Sequence, residues 1–255
     1  MIEDMDLAPT ERFSSRAEAY ARARPGYPRE ILALLERECG LKPTWRVADI
    51  GSGTGLLARL FLGFGCEVFG VEPNVEMRAA GERELRGEPR FRSVDGRAEA
   101  TGLASGEFDL ATAGQAFHWF EPEGTRAEFR RILRPDGWVV LAWNERRHTP
   151  GFMADYDVVQ NRFAVERPHP GEAEFDAFFG HGEWRMATIP NPLPLNEETL
   201  LRRVESCSRS PLPGDERYAA MMAELRRVFR AYALEGHIVM EYETRVYWAR
   251  NFVSG

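Results

Sequence analysis

The chain has 255 residues, 44% of them hydrophobic and 29% charged. That balance supports one large α/β domain or a domain with a modest cap, and it excludes disorder, collagen and a coiled coil as the main class. Acidic residues outnumber lysine and arginine by 40 to 33, a net charge of −7. Such a surface repels phosphate backbones, so no nucleic-acid partner is expected.

The first ten residues are acidic and mixed, without the basic start and apolar run of a signal peptide. No apolar stretch approaches the ~18 residues of a membrane span. The expectation is a cytoplasmic protein with no membrane partner. Cys39, Cys66 and Cys207 are widely spaced, and the five histidines lack ligand spacing, so no disulfide framework and no metal site are expected. Arginine supplies almost all the basic charge, since Lys42 is the sole lysine.

Phe13, Ala17, Tyr20 and Arg24 fall at helical spacing, and Pro25-Gly26 ends the run. A second helix is predicted from near Pro28, with Ile31, Leu34, Leu35 and Cys39 on one face and Gly40 at its C-terminus. From Trp45 to Asn144 short apolar strands alternate with helices. The strands are Arg46–Ile50, Glu67–Val71, Phe91–Val94, Phe108–Ala113 and Trp138–Trp143. The helices between them are Thr54–Phe64, Asn74–Arg86 and Glu123–Leu133. This alternation predicts an α/β fold, a doubly wound, mainly parallel sheet with right-handed crossovers.

After Asn144 the alternation stops, and Glu145–Gly151 marks a shift where a cap begins. Phe152, Tyr156, Val159 and Phe163 form a helical stripe. Trp184–Ile189 reads as a strand. Asn196 caps a short helix to Glu205, and Asp215–Leu234 is amphipathic, with Tyr218, Met222, Leu225, Phe229 and Tyr232 on one side. From His237 to Trp248 alternate residues from Ile238 share a face, which predicts one long strand antiparallel to Trp184–Ile189.

The densest signal is Val47-Ala48-Asp49-Ile50-Gly51-Ser52-Gly53-Thr54-Gly55. A strand enters a glycine cluster and a helix follows, which lets backbone turn sharply against a flat ligand. The spacing is G-x-G-x-G, with Leu56 where a dinucleotide fingerprint carries its last glycine, and no Lys-Ser/Thr pair completes a phosphate loop. Asp49 would repel a pyrophosphate and suits an ammonium or sulfonium. Glu72 ends the second strand, 21 positions after Gly51, where an acid accepts both hydroxyls of a ribose. The ligand so described has a ribose, a cationic end and no essential phosphate, and S-adenosylmethionine fits it.

These residues, with Val71-Glu72-Pro73-Asn74, resemble motifs of class I S-adenosylmethionine-dependent methyltransferases. Arg24-Pro25-Gly26-Tyr27-Pro28, Gln115-Ala116-Phe117-His118-Trp119-Phe120 and Leu133-Arg134-Pro135-Asp136-Gly137-Trp138 extend the likeness to the small-molecule subgroup of the trans-aconitate methyltransferases. The likeness covers residues 13–145 well and the remainder in outline. It implies a Rossmann-like core of five parallel strands with a C-terminal antiparallel pair and a helical cap. It also implies N-terminal helices over residues 1–44 that cover the cofactor site, a cofactor-binding core over 45–145, a cap over 146–236 and a last core strand over 237–255.

By the same resemblance, Asp49, Gly51, Ser52, Gly53, Thr54 and Gly55 line the methionine and adenosine parts of S-adenosylmethionine or its product S-adenosylhomocysteine. Glu72 holds the ribose, and Pro73 and Met77 lie against the adenine. Arg97 stands where relatives commonly carry an acid for the adenine amine. Ala98 would then act through its N–H, with Asp95 or Glu99 supplying the carboxylate. Ala113, at the end of strand four, and Gln115, just after it, are expected to bind the cofactor too, and Tyr20 and Arg24 to close over it. His118 follows strand four and is the candidate base, against the competing reading of a satisfied core histidine. The function implied is methyl transfer to a small molecule, a carboxylic acid among the classes open. Three alternatives stay open: a non-catalytic binder of the cofactor, a nucleic-acid or protein methyltransferase, and a nicotinamide oxidoreductase. The second is disfavoured because Gln115-Ala116-Phe117-His118 replaces the Asn/Asp-Pro-Pro-aromatic segment of amine-directed enzymes, and the third because of Asp49 and the glycine spacing. The oligomeric state is open.

Overall fold

A computed structural model describes residues 25–163, 171–206, 210, 211 and 213–250. The predicted helix through Phe13, Tyr20 and Arg24 lies outside these residues, as does Cys207. The elements in chain order are α1 (Glu30–Cys39), β1 (Arg46–Ile50), α2 (Leu56–Phe64), β2 (Glu67–Val71), α3 (Val75–Glu84), β3 (Phe91–Val94), β4 (Phe108–Gly114), α4 (Pro122–Ile132) and β5 (Leu133–Arg146). They continue with α5 (Phe152–Phe163), α6 (Glu172–Phe179), β6 (Arg185–Pro190), β7 (Leu193–Leu195), α7 (Glu197–Ser206), α8 (Glu216–Tyr232), β8 (Ile238–Met240) and β9 (Tyr242–Arg250).

Seven strands form one sheet in the order β3-β2-β1-β4-β5-β9-β6. The first five are parallel, and β9 runs antiparallel to both β5 and β6. This is the expected doubly wound sheet with its antiparallel pair. Val47 to Ile50 are all buried, as a central parallel strand covered on both faces requires. On one face Ile31, Leu35, Leu57 and Phe61 of α1 and α2 pack on Val47, Val68, Leu110 and Val140. On the other, Phe129 and Ile132 of α4 and Phe175 and Phe178 of α6 pack on Ile50, Phe108, Val139 and Leu141. The chain leaves β1 outward through β2 and β3, then returns to β4 on the other side of β1. The carboxyl ends of β1 and β4 therefore flank a topological switch point, the place where open α/β sheets receive ligands.

A third core builds the cap. Phe152, Met153 and Tyr156 of α5, Leu200 and Val204 of α7, and Met222, Leu225 and Phe229 of α8 enclose Ile238 and Met240. Asn196 caps α7, its Oδ1 accepting from the Thr199 amide at 2.9 Å, and Asp215 caps α8. Among the described residues no helix is long and apolar enough to cross a membrane.

Three differences from the sequence reading have clear physical causes. The strand expected over His237–Trp248 divides at Glu241: β8 pairs with β7 in a separate two-stranded sheet, and β9 joins the main sheet. The two-residue alternation runs unbroken through both, yet Ile238 and Met240 enter the cap core while Val246 and Trp248 enter the sheet core. β7, which contains Pro194, is a strand the sequence reading does not include; in a two-stranded sheet each strand has a free edge, so a missing N–H need not interrupt the ladder. The eight-residue helix α6 has no counterpart in the sequence reading, because so short a run of phenylalanines carries little periodicity.

Candidate cofactor site

β1 ends at Asp49-Ile50 and turns through Gly51, Gly53 and Gly55 into α2. Gly51 adopts a left-handed φ of 67°, and a Cβ there would lie 2.6 Å from the Ala116 Cβ. The loop is tied to the neighbouring strand: the Gly51 and Ser52 amides both donate to the Val71 carbonyl, at 2.9 and 3.1 Å.

Glu72 follows Val71 and is almost fully buried. Its Oε1 accepts from the Asn74 amide and its Oε2 from the Gly53 amide, each at 2.9 Å. Burial raises its pKa, and the two amides work against that rise. Each carboxylate oxygen has used one acceptor site, so lone pairs remain for a diol. Arg78 Nη1 donates to the Glu72 carbonyl at 2.7 Å and to Asp95 Oδ1 at 3.0 Å. Asn74 Oδ1 caps α3 by accepting from the Met77 amide at 2.8 Å, which brings Met77 under the same loop.

Asp49 is 1% exposed, and among the described residues neither carboxylate oxygen has a hydrogen-bond partner. Burial pushes its pKa up to about 8. The Ala58 amide in the first turn of α2 pulls it partly back without closing a hydrogen bond, and the charge of Glu72 adds to the rise. A buried, unsatisfied carboxylate is costly and calls for a cation or donor from elsewhere.

These groups line a cavity of about 350 Å³. Of the expected site residues, Asp49, Gly51, Ser52, Gly53 and Thr54 lie on its first wall, Glu72, Pro73 and Met77 on the second, Arg97 and Ala98 on the third, and Gln115 at the end of β4. Among the described residues the amide of buried Ala98 donates to no protein group. Glu99 lines the cavity too, whereas exposed Asp95 turns to Arg78. Gly55 and Ala113 stand behind the cavity: Gly55 precedes α2 against Leu85, and Ala113 packs in the sheet core. His118 is not among the lining residues; it is exposed on a 3₁₀ turn, Phe117–Trp119, its ring 4.8 Å from that of Trp119. Tyr20 and Arg24 fall outside the described residues.

Sequence reasoning passed over Tyr27 and Asn144, which both line the cavity. Tyr27 lies within the Pro-Gly-Tyr-Pro segment that carried the resemblance, and its hydroxyl packs against Gly114, so closely that a Cβ there would collide with it. Asn144 sits near the carboxyl end of β5, where the switch-point rule places ligand contacts.

The cradle fits S-adenosylmethionine on these grounds: an orphaned buried acid for a cationic end, a fixed acid with open lone pairs for a ribose, and glycines that leave room for backbone approach. Residues 48–141 match the model of a methyltransferase domain. An uncharacterised methyltransferase of Mycobacterium tuberculosis is 32% identical over 173 residues, 65% of this chain and 67% of that protein. A methyltransferase-like protein of Schizosaccharomyces pombe is 27% identical over 257 residues, 97% of each chain. A solved structure of a candidate type II methyltransferase from Anaeromyxobacter dehalogenans shares the fold, with a TM-score of 0.69 at 21% identity over 91% of this chain and 99% of that one. Sequence relatives, fold and the acid-lined glycine turn agree: the chain belongs to the class I S-adenosylmethionine-dependent methyltransferases.

Proposed function

We propose that this chain transfers a methyl group from S-adenosylmethionine to a small molecule, and that the acceptor is a carboxylic acid. The observation that carries the cofactor part is the pair of buried acids: Asp49 with both oxygens unpartnered among the described residues, beside Glu72 held by two backbone amides. When bound, S-adenosylmethionine supplies a methyl carbon already activated by a sulfonium, which departs as a neutral thioether.

Asp49 balances the cationic end of the ligand. Glu72 accepts from the ribose hydroxyls through the lone pairs its amide partners leave open, a contact worth about 1.5–3 kcal/mol for a charged acceptor. Pro73 and Met77 flank the adenine, Ala98 offers its N–H, and Glu99 is the lining acid available to the adenine amine. The main catalytic contribution of the protein is alignment of acceptor and methyl carbon, which can supply about 7–11 kcal/mol.

Two features support the carboxylic acid. A carboxylate is ionised at neutral pH and attacks without a base. Tyr27, Gln115 and Trp119 wall the cavity with side chains whose polar hydrogens can serve a carboxylate while the groups hold their protons. The resemblance of the N-terminal and post-β4 motifs to trans-aconitate methyltransferases points the same way. For a hydroxyl, amine or carbon acceptor a base would be required, and His118 would have to reach it from the exposed turn. The test has two stages. Calorimetry with S-adenosylhomocysteine establishes the site, and a labelled-methyl screen over small carboxylic acids, phenols and amines establishes the acceptor. Binding without turnover of any acceptor would favour a non-catalytic binder, and turnover of amines or phenols alone would discard the carboxylic acid.

A further inference from the structure

One wall of the cavity is held from outside it. Asn144, near the end of β5, is almost fully buried and every hydrogen-bonding position of its side-chain amide is engaged. Its Oδ1 accepts from Thr244 Oγ1 at 2.5 Å and from Asn191 Nδ2 at 3.0 Å. Its Nδ2 faces the carbonyls of Pro25 and Gly26, each at 3.2 Å. Asn191 Nδ2 also reaches the Gly26 carbonyl, at 2.9 Å, and Thr244 Oγ1, at 3.2 Å. The Asn191 amide is itself fixed, donating to the Tyr242 carbonyl at 2.8 Å. On the cavity side, Gln115 Nε2 donates to the Asn144 carbonyl at 3.0 Å.

Pro25, Tyr27, Gln115 and Asn144 line the cavity, while Asn191 and Thr244 do not. Thr244 is completely buried on β9, directly across from Asn144 in the strand register. Asn191 lies between β6 and β7. β9 and the segment that follows β6 thus supply two donors that orient a cavity-lining side chain, and one of them also grips the Gly26 carbonyl. Thr244 bonds neither to the Pro25–Tyr27 segment nor to the cavity directly, and its effect must pass through Asn144 and Asn191.

We propose that Asn191 and Thr244 are positioning residues for methyl transfer: by orienting Asn144 and the Gly26 carbonyl they set the Pro25–Tyr27 wall against the end of β4, where cofactor and acceptor meet. This deepens the methyltransferase reading and rests on it. The expected consequences are local. Asn191→Ala removes one of the two donors on the Gly26 carbonyl and one of the two on Asn144 Oδ1. Thr244→Val removes the other donor at nearly constant shape, and Thr244→Ser retains it.

The experiment uses the full chain and combines amide exchange, calorimetry with S-adenosylhomocysteine, and thermal melting. In Asn191→Ala and Thr244→Val, exchange at the backbone amide of residue 191, which donates to the Tyr242 carbonyl, accelerates selectively. The dissociation constant of S-adenosylhomocysteine rises roughly 3- to 10-fold, the size of one or two net hydrogen bonds. Thr244→Ser behaves as the wild type. Wild-type affinity and exchange in both disruptive variants would overturn the proposal. So would faster exchange spread evenly over the main sheet, which would make the network a fold element alone. Thr244→Val keeps the test decisive if Asn191→Ala fails to fold. Failure of the wild type to bind S-adenosylhomocysteine would refute the methyltransferase reading, whereas wild-type binding with unaltered variants refutes only this inference.

Discussion

The Gly53 amide donates to Glu72 Oε2 at 2.9 Å, across the 19 residues that separate them. The glycine turn and the acid at the end of β2 therefore position each other, and neither can shift without breaking that bond. Because Glu72 Oε1 is held equally by Asn74, the plane of the carboxylate is fixed from both sides. In the proposed ribose contact, such a pre-oriented acceptor would lose less freedom on binding.

Glu72→Ala removes the proposed ribose contact and leaves two amides without their acceptor. The expected loss of affinity for S-adenosylhomocysteine is about 10- to 150-fold, from ~1.5–3 kcal/mol. Calorimetry measures it, and unchanged affinity would exclude the ribose role. Glu72→Gln, with one oxygen and no charge, should fall between the two.

Asp49 makes both stability and binding depend on pH. Its folded-state pKa of about 8 lies above the ordinary value of 3.8, so the folded state holds the proton more tightly than the unfolded chain does. The stability this contributes is fully present below the unfolded value and is lost as pH rises through about 8. Asp49→Asn should therefore melt higher than the wild type at pH 8, by a margin that shrinks towards pH 5. Binding runs the other way: a cationic ligand favours the ionised form, so wild-type affinity climbs towards pH 8 by at most ~10-fold per pH unit, and Asp49→Asn loses that slope. A flat wild-type binding profile over pH 6 to 8 would contradict the assignment.

Gly51 in the turn and Gly63 in the last turn of α2 should respond in opposite directions to alanine. At Gly51, with φ 67° and Ala116 in the way, the Cβ forces the loop to move, at an expected cost of about 1–3 kcal/mol and with loss of cofactor binding. Gly63 in α2 has ordinary helical backbone and open space where a Cβ would stand, so Gly63→Ala should stabilise by about 0.4–1 kcal/mol. Denaturant melts of the pair test whether the turn or the helix sets the requirement for glycine.

The exposed position of His118 leads to a simple expectation. His118→Ala should leave S-adenosylhomocysteine affinity within about twofold of wild type, the usual scale for a surface change. A tenfold loss in calorimetry would restore the ring to the cofactor site. With a carboxylic acid acceptor, turnover should be equally insensitive.

The parallel core and the glycine turn after β1 are legible in the order of residues alone. Strands β1 to β3 fall at the residues expected, because short buried strands bounded by glycine and charge are written in local composition. Asp49, the glycines and Glu72 were legible for the same reason: a turn that needs left-handed backbone selects glycine, and the register of two adjacent parallel strands sets the interval to the acid. Long-range packing leaves His118 exposed and off the cavity wall, brings Tyr27 and Asn144 to line it, and sets Asn191 and Thr244 against Asn144. It also decided where the alternating run after His237 changes partners. A two-residue period states that one side is buried but not against what, and the bonds between Gly26, Asn144, Asn191 and Thr244 join residues far apart in the chain, so no local pattern records them.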